Sequence, residues 1–475
     1  MAIYNNEEIS KKDFRFTHID ERIFDEQFET KPVGYFKDAL NRFSKNKASV
    51  FAFFILVFII LMAIVGPFLN QYTITYSNAS LDYLPPRISI LAKLGIADGQ
   101  KMYYGVAYST LENNYDLDSI VWMSEPYQQT TVEGTKETLR TVVDIKVDVY
   151  KNRFGYRDIY AFGGDELAEL QAETYYVSHV ILEEEIFSFV HPVTGELIVT
   201  DTSIYRVTIS YKDYYYSQLE KQGITFADTS DYPSFWFGTN GAGFDLFTHV
   251  WTGARTSLLI GLYVMLITVS VGVVWGSISG YYGGTVDILM ERFVEIISGV
   301  PWLVTMTLIK MYADAGMRSA TPSASAVFFQ ENPIFLIALA LVITSWIGTA
   351  GSVRTQFYRY KGREYVLASR TLGAKDRRLI FKHILPNAIG PIITGSVLII
   401  PSAIFTESSI AYLNLGPSGT IISIGTLLSE GQAVLTTAPH MVLFPALIIS
   451  ALMISFNLFG NGLRDAFNPS LRGAE

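Results

Sequence analysis

Residues 363–391 read REYVLASRTLGAKDRRLIFKHILPNAIGP, and the way this stretch folds decides what must surround it. Glu364 to Leu372 are good helix formers with the small residues Ala368 and Ser369 at their centre. Gly373 follows where a helix would close on a left-handed residue without a Cβ. Asp376 offers a cap and a favourable charge to a second helix that carries Leu379, Ile380 and Phe381, and Pro386 is expected to end it. The product is a short basic helical hairpin between apolar runs, shaped to be gripped by something else.

Those apolar runs set the class of protein. Hydrophobic residues make up 49% of the 475 and charged residues only 17%, which points to a membrane protein with several spans. Five uncharged stretches are long enough to cross a bilayer: Ser49–Leu69, Thr256–Gly280, Pro333–Gly351, Ile389–Thr406 and Met441–Gly460. A sixth, Phe293–Met311, has Glu295 in its first turn and is interrupted by Pro301, but an even count keeps the two most basic regions on one side. Nine basic residues stand against two acidic ones between Arg354 and Lys382, and Tyr412 to His440 contains no Lys or Arg. Both termini and the hairpin are therefore expected in the cytosol. Tyr35, Phe36, Ala39, Leu40 and Phe43 recur at helical spacing beside Lys37, Arg42, Lys45 and Lys47, which suits a helix in the interface before the first span.

Between Gln71 and Asp231 there are 24 acidic residues and 12 basic ones, so this segment more than accounts for the net charge of −9. It is not loop-like. Val143, Ile145, Val147 and Val149 alternate with Asp144, Lys146 and Asp148, and Tyr205, Val207, Ile209 and Tyr211 alternate with Arg206, Thr208 and Ser210, each the pattern of a half-buried strand. His191 to Glu196, HPVTGE, reads as a turn between strands. The chain has no cysteine, so this segment must fold without disulfides.

The expected fold class is an all-α polytopic membrane protein of about six transmembrane helices, with a β-rich extracytosolic insert between the first two spans. Residues 1–47 make a cytosolic tail and interfacial helix, 48–70 the first span, 71–235 the insert, and 236–475 a core of five helices whose cytosolic loop covers 354–387. No cleavable signal pattern precedes the first span.

Several chemistries find no support. No Gly-Lys dipeptide occurs, hence no P-loop. His18, His179, His191, His249, His383 and His440 are scattered, and no His-Glu-x-x-His is present, so no metal site is expected. Glu295 and Glu407 lie close to span ends, where snorkelling or capping explains them. A helix-turn-helix DNA reader shares the look of residues 363–391, but such a reader needs a supporting soluble domain and this stretch is pinned between spans. A clamped cytosolic helix pair without its own energy source is suited to receive a push from an ATPase, with small residues allowing close approach and arginines meeting acidic groups.

Leu367-Ala368-Ser369, three residues, Gly373, and on to Ile384-Leu385-Pro386 resembles the EAA loop of ABC-importer permeases. Leu367 stands in the place of the acid and His383 in that of the isoleucine, while Glu364 lies one turn earlier on nearly the same face. GTNGAGFDLFTHVWTGARTSLLIG, residues 238–261, is similar to the segment before the second span in C-type subunits of dipeptide and oligopeptide importers. Gly238, Thr239, Gly243, Asp245, Gly253, Ala254, Arg255, Ser257 and Leu258 keep that pattern; Asn240, Phe244, Thr248 and His249 depart from it. FNLFGNGLRDAFNP, residues 456–469, is similar to the same subunit's C-terminus. The resemblance covers the first span and 236–472, and leaves out the tail before Tyr35 and the acidic insert.

The resemblance implies a type I importer permease in the bacterial cytoplasmic membrane that moves oligopeptides inward. It implies a homologous permease as partner, two ATPase subunits below, and an extracytosolic peptide-binding protein above. ATP and Mg would sit on the ATPase subunits, so that this chain binds no cofactor, is no enzyme, and meets no nucleic acid. The ATPase-coupling residues would be Glu364, Tyr365, Leu367, Ala368, Ser369, Arg370, Leu372, Gly373, Ala374 and Arg377, with Ile384, Leu385, Pro386, Gly253, Ala254 and Arg255 as structural motif positions. The other readings are a permease for a small solute such as nickel, and a membrane-anchored receptor or sensor. The insert would dock the binding protein or guide peptides, or else cap the partner permease. Gly261, Gly272, Gly276 and Gly280 put small residues along the second span, for packing within the subunit or at a dimer seam.

Overall fold

The computed structural model describes residues 35–467 apart from 134–135, 163–164, 169–170, 172–176, 187–188, 191–196, 199–201, 227, 319–323, 414 and 416–420. Helices α1 (Tyr35–Lys45) and α2 (Lys47–Val65) meet at Asn46, whose side chain accepts from the Ser49 amide at 3.2 Å and caps α2. The buried residues of α2, from Ser49 through Ala52, Leu56 and Ile59 to Ala63, form one stripe at helical spacing. Phe54, Phe58 and Leu61 point outward. Part of the apolar face of α1 is used inside the chain: Ala39 and Phe43 pack against Ala466.

The strands lie between α2 and the next long helix. β4 (Lys136–Asp148) is the centre of one sheet and pairs antiparallel with β1 (Gln100–Ala107), β2 (Ile120–Met123) and β3 (Tyr127–Glu133). In a second sheet β9 (Thr202–Ser210) is flanked by β5 (Tyr156–Phe162) and β6 (Val177–Ile186). Val143, Ile145 and Val147 face one core, Val207 and Ile209 another. Val149 and Tyr211 extend the alternation in the sequence, but each instead opens a helix, α3 (Val149–Phe154) and α4 (Tyr211–Lys221). Asp148 and Ser210 cap these helices by accepting from the Lys151 and Asp213 amides, and a cap outweighs one residue of strand preference. The HPVTGE turn falls outside the described residues; the short strands that flank it, β7 (Phe189–Val190) and β8 (Leu197–Ile198), pair antiparallel.

The membrane body follows: α5 (Leu246–Tyr282), α6 (Gly284–Ser298), α7 (Trp302–Arg318), α8 (Pro333–Tyr360), α9 (Glu364–Thr371), α10 (Leu385–Val397), α11 (Ile399–Tyr412), α12 (Ile424–Ala433) and α13 (His440–Phe467). Among the described residues, five helical runs are long and apolar enough to cross a membrane: Lys47–Phe68, Leu246–Tyr282, Pro333–Tyr360, Asp376–Tyr412 and His440–Phe467. The sequence that carries Pro301 is bent by 72° between α6 and α7, and this pair makes a sixth run if counted as one span. Proline at that position removes a helical hydrogen bond and its ring crowds the preceding turn, which explains the break.

Pro386 behaves differently from its sequence expectation. It takes an early position in α10, and the turn before it, Leu379–Ile384, is wound as a π-helix. The wider turn accommodates the ring that a tight interior turn would reject. The second arm of the hairpin therefore runs on into a membrane-length helix instead of stopping.

Glycines set how closely α5 and α8 approach. A Cβ on Gly272 would sit 2.7 Å from Cβ of Thr349, one on Gly280 2.6 Å from Cβ of Phe357, and one on Gly276 would strike the Ala350 carbonyl oxygen. These residues thus serve packing within the subunit. Gly261 does the same against Ile400 and Ile404 of α11. Gly276→Leu is expected to push the two helices apart and lower stability by about 3 kcal/mol or more, the upper range for overpacking, because backbone oxygen cannot move aside as a side chain does. A thermal melt in detergent, followed by size-exclusion profile, checks this.

Candidate functional site

The hairpin at 364–384 hangs from the ends of α5 and α8. Val366, Leu379, Ile380 and Ile384 are buried against Tyr281, Val353 and Phe357, a small apolar root that fixes the hairpin to two long helices. At the tip, α9 closes in a Schellman arrangement: the Ala374 amide donates to the Ser369 carbonyl (3.1 Å) and the Gly373 amide to the Arg370 carbonyl (3.0 Å), with Gly373 at φ +81°. That conformation is the reason for glycine at this position. Asp376 is not the cap of the second arm. Lys375 holds the cap position without a side-chain bond, and the Asp376 carboxylate instead accepts from the Tyr281 hydroxyl at 2.5 Å.

Glu364, Tyr365, Leu367, Ala368, Arg370, Leu372, Gly373 and Arg377 are exposed, and Ser369 and Ala374 are half-buried. The structure brings these residues together on one small element that faces away from the helices holding it. Leu372, at the very tip, is 88% exposed. Ile384 is fully buried, Leu385 partly, and Pro386 is exposed. Gly253 and Ala254 lie in α5, where Gly253 touches the Ser423–Ile424 backbone and Ala254 is fully buried; Arg255 is half-exposed beside them.

Beneath the hairpin lies a polar clamp that sequence reasoning missed. Asp287, 6% exposed on α6, accepts two bonds from Arg354 of α8, Nε and Nη2 both at 2.6 Å, one from the Tyr358 hydroxyl at 2.6 Å, and one from the Ser279 hydroxyl of α5. Lys361 Nζ donates to the Gly280 carbonyl at 2.9 Å, and the Arg370 guanidinium lies 5.6 Å from the Tyr281 ring centroid. Three helix ends and the hairpin are joined by charge-assisted bonds. The acid and base stand 67 residues apart in the chain, and no local pattern pairs them.

Glu407 needs correction. It lies near the end of its span but does not snorkel to the surface: it is 2% exposed within α11 and accepts from the Ser257 hydroxyl of α5 at 3.2 Å. Ser257 in turn accepts from the Ile424 amide at 3.3 Å, at the start of α12. A buried carboxylate thus helps knit three elements together, which offsets its desolvation.

Between α7, α8 and α11 is a hollow of about 670 Å³. Thr305, Thr344, Ser345, Ser402, Thr406 and Ser409 line it together with Trp302, Met306 and Leu398, and among the described residues no charged side chain lines it. Among the described residues no three of His, Asp or Glu are grouped to hold a metal ion.

Residues 272–473 match the family of binding-protein-dependent transport system inner membrane components, and residues 34–86 match the N-terminal TM domain of oligopeptide transport permease C. The oligopeptide transport system permease protein OppC of Bacillus subtilis (strain 168) is 42% identical over 246 residues, 52% of this chain and 75% of that protein. The dipeptide transport system permease protein DppC of the same organism is 38% identical over 253 residues, 53% of this chain and 74% of its own length. OppC of Haemophilus influenzae is 37% identical over 236 residues, covering 50% of this chain and 70% of that protein. Residues 87–271 fall outside both family matches. The chain belongs to the inner membrane permease family of binding-protein-dependent transport systems.

Proposed function

We propose that the chain is a permease subunit of an ATP-driven peptide importer. The observation that carries this reading is the hairpin: a rigidly capped, exposed helix pair rooted in the ends of two membrane-length helices, in a chain related to oligopeptide and dipeptide permeases. Glu364, Tyr365, Leu367, Ala368, Ser369, Arg370, Leu372, Gly373, Ala374 and Arg377 form the surface gripped by the ATPase subunits. Leu372 acts as the apolar anchor and the arginines as the charged rim. ATP and its metal bind to those partners. A homologous permease supplies the other half of the pathway, and a binding protein delivers peptide from the far side. The hollow beside α7, α8 and α11 is this subunit's share of the pathway, its uncharged lining suited to peptides of differing charge.

In this reading six spans place both termini and the hairpin in the cytosol of a bacterial cell membrane, with the segment that holds β1 to β9 outside. The excess of basic residues around the hairpin supports that orientation. Since the native chain has no cysteine, single substitutions give clean probes. Tyr104→Cys, 74% exposed, is expected to react in intact cells with a membrane-impermeant maleimide, and Leu372→Cys only after the membrane is opened. The reverse labelling would overturn the topology. Function itself is tested by reconstituting the chain with its partner permease, ATPases and binding protein in liposomes: uptake of a labelled tripeptide that requires ATP supports the proposal, and ATP-driven uptake of nickel in its place refutes it.

A further inference from the structure

The strand-bearing segment contributes 12 more acids than bases, yet one cavity within it is positive. About 420 Å³ in volume, it lies at the seam between this segment and the membrane body, with Thr437, just before α13, on one wall. Lys101, Arg153 and Arg157 line it, with Asp82 as its one acid among the described residues, and Tyr83, Tyr103 and Tyr115 form aromatic walls. Of the residues named here, Asp82, Tyr83 and Thr437 fall within the family matches, and Lys101, Tyr103, Tyr115, Arg153 and Arg157 fall outside them.

The cations are not equally committed. Arg153 is held by Asp82 (2.8 Å) and by the Ser80 carbonyl (2.8 Å). Arg157 donates to the Asn152 carbonyl (2.8 Å) and lies 5.3 Å from the Tyr211 ring centroid, leaving donors free. Lys101 Nζ rests 5.1 Å from the Tyr103 ring centroid and has no hydrogen-bond acceptor among the described residues. Burial lowers its pKa, with the Asp82 carboxylate acting in the opposite sense, so its charge sits half-desolvated without an acceptor.

The backbone that carries the rim is firmly held. Tyr83 is kept in the left-handed region at φ +51°, its amide bonded to the Asn240 carbonyl (3.1 Å). The next residue, Leu84, donates its amide to Thr239 Oγ1 (2.8 Å). A bulky residue in that region persists only where its surroundings over-determine it, and such strain gathers at ligand sites.

We propose that this cavity binds the C-terminal carboxylate of a short peptide, Lys101 and Arg157 holding the carboxylate and Tyr83, Tyr103 and Tyr115 packing against the terminal side chains. Its volume lies in the usual range for small-ligand sites, about 300–1,000 Å³. The carboxylate supplies the acceptor that Lys101 lacks, and the tyrosines accept varied side chains at small conformational cost. The assignment rests on the peptide-import reading and gives the strand-bearing segment a part in it, as a waiting site at the edge of the membrane body.

The test is calorimetric titration of the purified full-length chain, in nanodiscs with its partner permease, against trialanine, trialanine C-terminal amide and N-acetyl-trialanine. Trialanine and its N-acetyl form are expected to bind equally, and the amide at least about tenfold more weakly, since a charge-assisted pair is lost. Lys101→Met is expected to weaken trialanine about tenfold at unchanged melting temperature. Arg157→Gln, at an exposed position, gives a second reading if the first variant folds poorly. Equal binding of acid and amide overturns the site, as does trialanine binding unchanged by both variants. Binding of inorganic phosphate without any peptide binding does so too, since it marks a general anion site. Liposome uptake separates the two proposals: peptide import with no binding at this cavity removes the site alone, and binding without import removes the transport reading alone.

Discussion

Gly373→Pro is expected to abolish ATP-driven peptide uptake while the membrane helices remain folded. At φ +81° this residue lies far from the value near −65° that proline imposes, and its amide donates to the Arg370 carbonyl at 3.0 Å, a bond proline cannot make. The Schellman closure opens, and Leu372 and Arg370 lose their fixed place. Apart from its chain neighbours, no described residue comes within 4 Å of a Cβ built at Gly373, so the damage stays in the hairpin. Gly373→Ala is the control: it meets no clash and carries only the left-handed strain of about 1–2 kcal/mol, so part of the uptake should survive. Leu372→Ala probes the same contact by truncation, and a central apolar anchor is worth about 2 kcal/mol, near thirtyfold in ATPase affinity. Uptake, ATPase co-purification and thermal melting are measured together. Normal uptake by the proline variant would refute the coupling role of this loop.

What could be read from the chain divides by distance along it. The left-handed turn at Gly373, the strands around Val143–Val147 and Tyr205–Ile209, and the first span are local patterns, and each appears where short-range chemistry puts it. Even there, Asp148 and Ser210 end their strands one residue before the alternation does, because a helix cap competes successfully at that point. Pro386 departs from a rule that holds for tight helices, since the π-turn before it changes the geometry on which the rule depends. The partners of Asp287 and Glu407 were invisible for another reason: Arg354 lies 67 residues from the first and Ser257 150 residues from the second. Only folding joins them, and a lone acid near a span end looks the same whether it is buried or snorkels.

The roots of the strand-bearing segment were equally hidden. Tyr72, Tyr76, Leu81 and Leu84, just after the first span, share one core with Tyr150, Phe154, Tyr215, Leu219 and Phe235. Thr239 ties this core to the membrane body, donating to the Leu81 carbonyl (2.5 Å) while its own carbonyl meets His440 Nε2 at 3.2 Å. Arg87, between the Tyr150 and Tyr232 rings, pairs with Asp231 at 2.9 Å. An excision from Tyr83 to Ser230 would take more than half of this core with it, so loss of transport in such a deletion would report on folding as much as on function. Point changes in the cavity at Lys101 avoid that ambiguity.

Asp287→Ala is expected to be strongly damaging to the membrane body away from the hairpin itself. It leaves Arg354, Tyr358 and Ser279 without their common acceptor, and loss of one member of a buried pair costs about 3–5 kcal/mol. Arg354 keeps 31% of its side chain exposed, and water there reduces the expected loss to about 2–4 kcal/mol. If the pair matters only for packing, replacing both partners, Asp287→Leu with Arg354→Met, should restore stability and uptake together. We expect a split: the melting temperature recovers most of its loss, because no buried charge of the pair remains and Glu291, which also meets Arg354 at 3.5 Å, keeps 36% of its side chain in contact with solvent, while uptake stays at least about tenfold low. The reason is geometric. Asp287 joins α6 to α8 and α5, Lys361 holds α8 to the Gly280 carbonyl, and Tyr281 at the end of α5 reaches Asp376 in the hairpin. Removing the pair cuts α6 out of this chain of contacts, so a push on the hairpin moves α5 and α8 but no longer carries the bent α6–α7 segment that borders the hollow. Uptake restored in step with stability would show the clamp to be structural alone.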